Sequence, residues 1–299
     1  MQGDLHCHTK LSDGSLGIED LITLAKKRGV EAIAITDHDC LAATVRGKII
    51  GKRAGVEVIP GVELSATDKE TEKPVHILCY LCDAPDRLEG LCHRNSLARK
   101  KAAHYMMLKL VRRFPIAPEL IAKCATGSTN IFKVHFMQAL MECGFTQQIH
   151  GEVYDDLFGD SSANSIAVMP KFSDIEEVVT AIHDAGGIAV LAHPYVYDNL
   201  DSLPRLLACG LDGIEVWHPS ATEEQQNELQ KLAQKHKLLM TGGSDFHGLY
   251  NTYPVSVGDY LTPETALDKL LGYKAKQKRL LKKQQKLEAE ANVSVQAQA

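Results

Sequence analysis

The chain has 299 residues, of which 44% are hydrophobic, and it carries a formal net charge of −5. This size and composition suit one barrel-sized domain with an insertion, and they exclude a strongly basic protein that coats nucleic acid. No stretch approaches the roughly 20 apolar residues that a membrane-spanning helix needs. The first residues also lack the basic and apolar regions of a secretory leader. We therefore expect a cytoplasmic protein without membrane contact, whose eight scattered cysteines are reduced thiols.

The first third of the chain alternates short apolar strands with helices. Strands are predicted at residues 3–7, 32–36, 56–59 and 75–81. One helix is predicted to end at Gly29 and another to span residues 41–54. Residue types that bind metals accompany the strands: His6, His8, His38, Glu63 and His76.

The pattern then becomes helical. Residues 85–150 contain many helix formers and few strand signals, and a long basic helix is predicted over Ser96–Arg113. We interpret residues 95–165 as an inserted helical subdomain. Residues 1–94 and 166–273 are then assigned to one α/β barrel domain, and residues 274–299 to a polar C-terminal tail.

Strand and helix alternation resumes after the insertion. Strands are predicted at residues 188–191, 213–217 and 238–241, with polar residues directly after them. Such repeated units favour an α/β barrel or a doubly wound open sheet. An open sheet would spread the polar positions along one edge, whereas the carboxyl ends of parallel barrel strands meet at one mouth. The barrel is therefore the predicted fold.

Two pairs of strong metal-ligand types stand near opposite ends of the chain. His6 and His8 form one pair, and Asp245 and His247 form the other. On an extended backbone, residues two apart point to the same side, so each pair can aim at one spot. An isolated histidine is usually structural, and Asp13-Gly14 alone is a good turn. The combination nevertheless predicts several divalent ions, because imidazoles and carboxylates suit manganese, zinc and iron(II), and a carboxylate can bridge two ions.

Six short stretches form an ordered set along the whole chain. They are D-L-H-C-H-T with S-D-G (4–14), I-T-D-H-D (35–39), G-V-E (61–63), V-H-I-L (75–78), A-H-P (192–194) and G-S-D-F-H-G (243–248). As a set they resemble the PHP (polymerase and histidinol phosphatase) superfamily of metal-dependent phosphoesterases. The helical insertion and the phrases at residues 181–194 and 213–219 are most similar to the branch that cleaves 3′,5′-nucleoside bisphosphates and trims short RNAs from the 5′ end.

The resemblance implies a distorted (β/α)7 TIM-like barrel with an inserted helical subdomain. It also implies two or three divalent ions, with manganese as the expected metal and zinc or iron(II) as alternatives. The implied ligands are His6, His8, Glu63 and Asp245 for one ion, Glu63, His76 and His193 for a second, and Asp13, His38 and His247 for a third. A hydroxide held by the metals, with Glu63 as the bridging ligand, is the implied nucleophile.

Three residues are predicted to bind substrate. Arg99 is the best match for the arginine with which this branch grips phosphate. The branch also carries an R-x-H-F pattern, which here reads Lys133-Val134-His135-Phe136, so Lys133 and His135 occupy the matching positions. Lysine keeps the charge but loses the bidentate fork of arginine. Because of this difference, the affinity of this chain for a second phosphate can differ from that of the branch.

The leading hypothesis is a hydrolase that removes the 5′-phosphate of 3′,5′-nucleoside bisphosphates such as pAp, or releases 5′-nucleotides from short RNA. Its partner would be a nucleotide or short RNA substrate, and no obligate protein partner is evident. The rival enzymatic hypothesis is a phosphatase for another small phosphomonoester, such as histidinol phosphate. A third hypothesis, from another class, is a non-enzymatic PHP-type module that binds metal or RNA.

Overall fold

A computed structural model describes residues 1–279 of the chain. Its sheet contains seven strands, which are neighbours in chain order. They are β1 (Gly3–Cys7), β2 (Ala32–Ile35), β3 (Glu57–Thr67), β4 (Pro74–Tyr80), β5 (Ile188–Leu191), β6 (Gly213–Trp217) and β7 (Leu239–Gly242). The His8 N–H donates to the Phe246 carbonyl at 2.8 Å, which brings the chain after β7 beside β1 and nearly closes the sheet. The predicted α/β barrel with a distorted TIM-like form is thereby confirmed.

Helices surround the sheet. They are α1 (Ile18–Lys27), α2 (Ala43–Ala54), α3 (Glu89–Arg113), α4 (Pro118–Cys124), α5 (Lys133–Glu142), α6 (Glu152–Phe158), α7 (Ile175–Asp184), α8 (Leu203–Ala208), α9 (Glu223–His236) and α10 (264–279). Helix α1 shows why they pack there: its apolar residues at 18, 21, 22 and 25 share one face and are all buried. Among the described helices, none combines the length and apolar character needed to cross a membrane.

One strand is longer than predicted, and one runs against its neighbours. Strand β3 pairs parallel with β2 as far as Pro60 and then antiparallel with β4 from Gly61 onward. Glu63 therefore lies within a strand and not after it, which corrects the sequence prediction. Strand β4 is antiparallel to both β3 and β5, so the barrel is not wholly parallel. This reversal brings the start of β4, with His76, to the mouth where the neighbouring parallel strands end.

Helices α3–α6 lie between β4 and α7 and share an apolar core of their own. Met106, Phe136 and Leu157 belong to this cluster, and Tyr250 from the chain after β7 packs against it. A separate core is what an inserted subdomain requires. Helix α3 begins at Glu89 and not at Ser96, so the predicted boundary at residues 94–95 falls inside it, and the domain division stays a prediction. Residues 280–299 of the predicted tail lie outside the described residues.

Candidate metal centre and substrate cavity

A cavity of about 280 Å³ opens at the mouth of the barrel, between the strand ends and helices α3–α6. Seven of the nine predicted metal ligands line it: Asp13, His38, Glu63, His76, His193, Asp245 and His247. The other two, His6 and His8, have no exposed surface and lie against these side chains. The structure thus brings together all nine positions, although they are spread over most of the sequence.

The Glu63 carboxylate is the central acidic group. Its Oε1 atom lies 2.8 Å from both Nδ1 of His76 and Nε2 of His193. Its Oε2 atom lies 3.2 Å from Nε2 of His8 and 3.1 Å from Nδ1 of His38. Because the two oxygens face different histidines, this carboxylate is placed to serve two cation positions at once.

Two aspartates extend the cluster away from Glu63. Oδ1 of Asp245 lies 3.2 Å from Nε2 of His8. Asp13 places Oδ1 3.4 Å from Nε2 of His247 and Oδ2 3.6 Å from Nε2 of His38. The ligand atoms of His8, Asp13, His38 and His247 all lie within 4.8 Å of one another. This group corresponds to the third predicted ion position, with His8 as an additional neighbour.

Local backbone geometry aims several of these side chains. His193 and Asp245, which follow β5 and β7, have φ values of +24° and +48°. Non-glycine residues rarely adopt such values, which cost roughly 1–3 kcal/mol and cluster at functional sites. Gly243 is needed for a different reason: a Cβ atom there would lie 2.4 Å from the His6 backbone nitrogen. The sharp turn after β7 therefore requires a residue without a side chain beside β1.

The donor set fits divalent cations. Buried imidazole nitrogens and carboxylate oxygens are the usual ligands of manganese, zinc and iron(II). Five such atoms of the proposed ligands form no hydrogen bond with the described residues: Nε2 of His8, Oδ1 of Asp13, Nδ1 of His38, Nδ1 of His76 and Nδ1 of His193. Buried polar atoms are normally hydrogen-bonded. Nitrogen and oxygen atoms that lie close together without hydrogen bonds therefore indicate a cation-binding site.

The charges in the cluster also favour a cation. Burial alone would raise the pKa of Glu63, but the neighbouring imidazoles, His38 first among them, hold it well below its usual range. Burial alone would lower the pKa of His8, but Asp245 and Glu63 raise it to about 10. Carboxylates thus stay ionised in a buried site and attract positive charge, which a divalent ion supplies.

Two further residues of the centre were not predicted as ligands or supports. Glu215 is fully buried in β6 and accepts a hydrogen bond from the His193 backbone N–H at 2.8 Å. His218 is 1% exposed, and its Nε2 lies 3.4 Å from Oδ2 of Asp245. The sequence signal for Glu215 was an acidic residue between Ile214 and Val216 in a predicted buried strand, where an unpaired charge is costly.

Arg99 from α3 also lines the cavity and lies between two aromatic rings. Its Cζ lies 4.7 Å from the ring centroid of Phe132 and 5.0 Å from that of Phe172. Nη2 donates to Oδ2 of Asp39 at 3.0 Å and to Oγ of Ser65 at 2.7 Å, while Nε has no partner among the described residues. Arg99 is therefore held rigidly and still has a free donor, as anion binding requires.

The other two predicted substrate residues are placed differently from each other. Lys133 lines the cavity, with Nζ 5.6 Å from the ring centroid of Phe158, and burial lowers its pKa. His135 is 3% exposed and is not among the residues that line the cavity. Its Nδ1 accepts the Phe132 backbone N–H at 3.0 Å, so it caps the start of α5.

Known proteins resemble this chain over most of its length. The sequence profile of the PHP domain matches residues 4–185. A phosphoribosyl 1,2-cyclic phosphate 1,2-diphosphodiesterase from Eggerthella lenta is 34% identical over 253 residues, covering 84% of this chain and 96% of that protein. A 5′-3′ exoribonuclease from Haemophilus influenzae is 32% identical over 251 residues, covering 82% of this chain and 89% of that protein.

A solved structure is also similar to this chain over most of its length. The crystal structure of a protein described as a metal-dependent phosphoesterase from Bifidobacterium adolescentis superimposes with a TM-score of 0.80 at 30% identity. The match covers 90% of this chain and 95% of that one. Together with the clustered imidazoles and carboxylates at the barrel mouth, these likenesses show that the chain belongs to the PHP domain family and is a metal-dependent phosphoesterase.

Proposed function

We propose that the protein hydrolyses the 5′-phosphate of 3′,5′-nucleoside bisphosphates such as pAp, or releases 5′-nucleotides from short RNA. The observation that carries this proposal is the lining of the cavity, which combines two chemically different groups of side chains. One group consists of the clustered imidazoles and carboxylates, and the other consists of the cationic side chains of Arg99 and Lys133. A substrate with one phosphate to be cleaved and a second anionic group fits this division.

The proposed ligands are the nine clustered side chains, with Glu63 shared between two ions. Divalent ions, with manganese as the proposed metal, would polarise phosphoryl oxygens and lower the pKa of a coordinated water. His6, His8 and Glu63 are fully buried, so their side chains are already ordered before a metal ion binds. Asp13 and His247 line the cavity and would complete the site from the solvent side.

Arg99 is the proposed phosphate anchor. Its contacts with Asp39 and Ser65 leave the guanidinium pre-oriented, which reduces the entropy lost when substrate binds. The same cavity has apolar lining from Met106, Val168 and Met169. This surface suits the face of a base or a sugar next to the anchored phosphate.

A second candidate is hydrolysis of a cyclic phosphodiester on a phosphorylated ribose. Two observations favour it. The relative from Eggerthella lenta is named a phosphoribosyl 1,2-cyclic phosphate 1,2-diphosphodiesterase. In addition, Lys133 occupies the position at which the bisphosphate branch has arginine. A lysine binds one phosphate oxygen as a point charge, whereas arginine forms two parallel hydrogen bonds with a terminal phosphate.

The test is a substrate panel for the manganese-loaded protein. It contains pAp, 5′-AMP, a short 5′-phosphorylated RNA, phosphoribosyl 1,2-cyclic phosphate and histidinol phosphate, and kcat/KM is measured for each. The leading proposal expects pAp or RNA to exceed 5′-AMP at least about ten-fold, the worth of one charged hydrogen bond. Preference for the cyclic phosphate would favour the second candidate, and turnover of histidinol phosphate alone would contradict both.

A matched variant guards against contaminating phosphatases. His76→Ala removes one contact of Glu63 at the cavity wall. We expect it to lose hydrolysis of every substrate in the panel together. Activity that survives in this variant would belong to another enzyme or to another site.

A further inference from the structure

Tyr197 stands beside the candidate metal centre, although no sequence motif pointed to it. Its ring meets the His76 ring edge-on, with centroids 5.1 Å apart and an interplanar angle of 71°. It meets the His193 ring in the same manner at 5.7 Å and 65°. The chain around it is held by backbone hydrogen bonds, from Val196 N–H to the His193 carbonyl and from Asn199 N–H to the Pro194 carbonyl. Tyr197 therefore has a fixed position relative to two ligand side chains.

The Tyr197 hydroxyl is a free hydrogen-bond donor. Tyr197 lines the cavity, and within residues 1–279 its hydroxyl forms no hydrogen bond. The charged groups close enough to act on it are Glu63, Asp245 and Arg99. Tyr197 is partly exposed and lines the cavity, so its hydroxyl is accessible to a ligand that enters there.

We propose that the Tyr197 hydroxyl donates a hydrogen bond to a non-bridging oxygen of the phosphoryl group that is cleaved. This inference rests on the proposed function, because it needs a phosphate next to the metal ligands. Tyr197 packs against His76 and His193, so a phosphate held at those ligands comes within its reach. A fixed donor aimed at phosphoryl oxygens stabilises the charge that accumulates on them during hydrolysis. In this role Tyr197 forms no covalent bond with the substrate.

The test compares Tyr197→Phe with Tyr195→Phe in the manganese-loaded protein. The first variant keeps the ring that packs against the histidines and removes the hydroxyl alone. The second changes a tyrosine two residues away, whose hydroxyl lies 3.5 Å from Oε2 of Glu228 and which does not line the cavity. Inorganic phosphate is the probe, and its Kd is measured by isothermal titration calorimetry alongside the manganese content of each protein.

Tyr197→Phe is expected to bind phosphate at least about ten-fold more weakly than the wild type, the effect of losing a hydrogen bond to a charged group. Its manganese content is expected to stay unchanged, and Tyr195→Phe is expected to match the wild type in both measurements. Unchanged phosphate affinity in Tyr197→Phe would overturn the inference. A fall in manganese content would also overturn it, because Tyr197 would then act by packing on the ligands.

The same data separate this inference from the proposed function. If the wild type hydrolyses no member of the panel but Tyr197→Phe still binds phosphate more weakly, the proposed substrates are wrong and the role of Tyr197 stands. If the wild type hydrolyses pAp and Tyr197→Phe has an unchanged kcat/KM and phosphate Kd, the function stands and the role of Tyr197 is wrong.

Discussion

Nδ1 of His6 lies 3.0 Å from Oε1 of Glu215, although the two residues are far apart in sequence. His6 thereby directs its other nitrogen, Nε2, toward Glu63 and Asp245, at 3.3 Å and 3.4 Å. A carboxylate behind a ligating histidine fixes the tautomer and the ring orientation. Glu215 also holds the His193 backbone N–H, so one buried carboxylate orients two of the proposed ligands.

Glu215→Ala should weaken metal binding. We expect an affinity about 10- to 100-fold lower, the usual effect of losing such a supporting carboxylate. Glu215→Gln should lose less, because its amide oxygen can still accept one hydrogen bond. Metal affinity is measured by titration with a fluorescent competitor, with Glu119→Gln on the exposed face of α4 as control. Equal affinities for all three variants would contradict this role.

Removal of metal should abolish hydrolysis and lower the thermal unfolding midpoint. A ligand at 100 times its Kd adds about 2.7 kcal/mol to the free energy of unfolding. We therefore expect chelated protein to melt at a lower temperature and manganese to restore both the midpoint and the activity. Differential scanning calorimetry and a phosphate-release assay measure the two effects. A fully chelated preparation that retains its activity would falsify the proposed chemistry.

Arg99→Lys should impair substrate binding despite conserving the charge. Lysine lacks the planar guanidinium that lies between the two aromatic rings while it bonds Asp39 and Ser65, so its ammonium group cannot present donors in the same fixed directions. We expect kcat/KM to fall about 10- to 100-fold, mainly through KM, as for the loss of a hydrogen bond to a charged group. Steady-state kinetics with the preferred substrate measures this change. Lys100→Ala, at an exposed neighbouring position, should leave kcat/KM unchanged.

Lys133→Arg should improve the affinity for substrates that carry a second terminal phosphate. The guanidinium restores a bidentate donor at the cavity wall, so KM for pAp is expected to fall several-fold while KM for 5′-AMP stays constant. The ratio of the two KM values is the measurement. Lys101→Arg on the exposed side of α3 serves as the control. An equal change for both substrates would show that Lys133 does not contact the second phosphate.

A histidine remote from the cavity should make stability depend on pH. The hydrogen bond to Asp212 raises the pKa of His183, whose Nε2 lies 2.9 Å from Oδ2. Its stabilisation is therefore complete below the unfolded-state pKa near 6.5 and is lost as the pH rises through the raised folded-state pKa. The side chain is 36% exposed, so screening limits the effect to less than about 1 kcal/mol.

His183→Gln tests this dependence by urea unfolding at pH 5.5 and pH 9. The variant should be less stable than the wild type at the lower pH and nearly equal to it at the higher pH. His104→Gln, on the exposed side of α3, should show no such difference between the two conditions. A deficit that is equal at both pH values would contradict the assignment.

Sequence reasoning predicted the barrel because strand and helix periods repeat locally and because polar residues follow the strands. It did not predict the strand pairing at two points, because pairing depends on which other strand each segment meets in the folded protein. Nothing in residues 57–67 shows that β3 changes partner at Gly61. Nothing in residues 74–80 shows that β4 is antiparallel. His76 was noted as a metal-ligand type at a predicted strand, but its position at the mouth of the barrel follows from that reversal.

The sequence by itself determined the family and the candidate ligand set, because His6 with His8 and Asp245 with His247 are short-range patterns whose side-chain directions the backbone dictates. Only the tertiary structure decided which histidines contact each oxygen of Glu63, that Glu215 supports His6, and that Tyr197 packs against His76 and His193. Those relationships join residues from different strands, and the closure of the sheet, which no local pattern encodes, sets their distances.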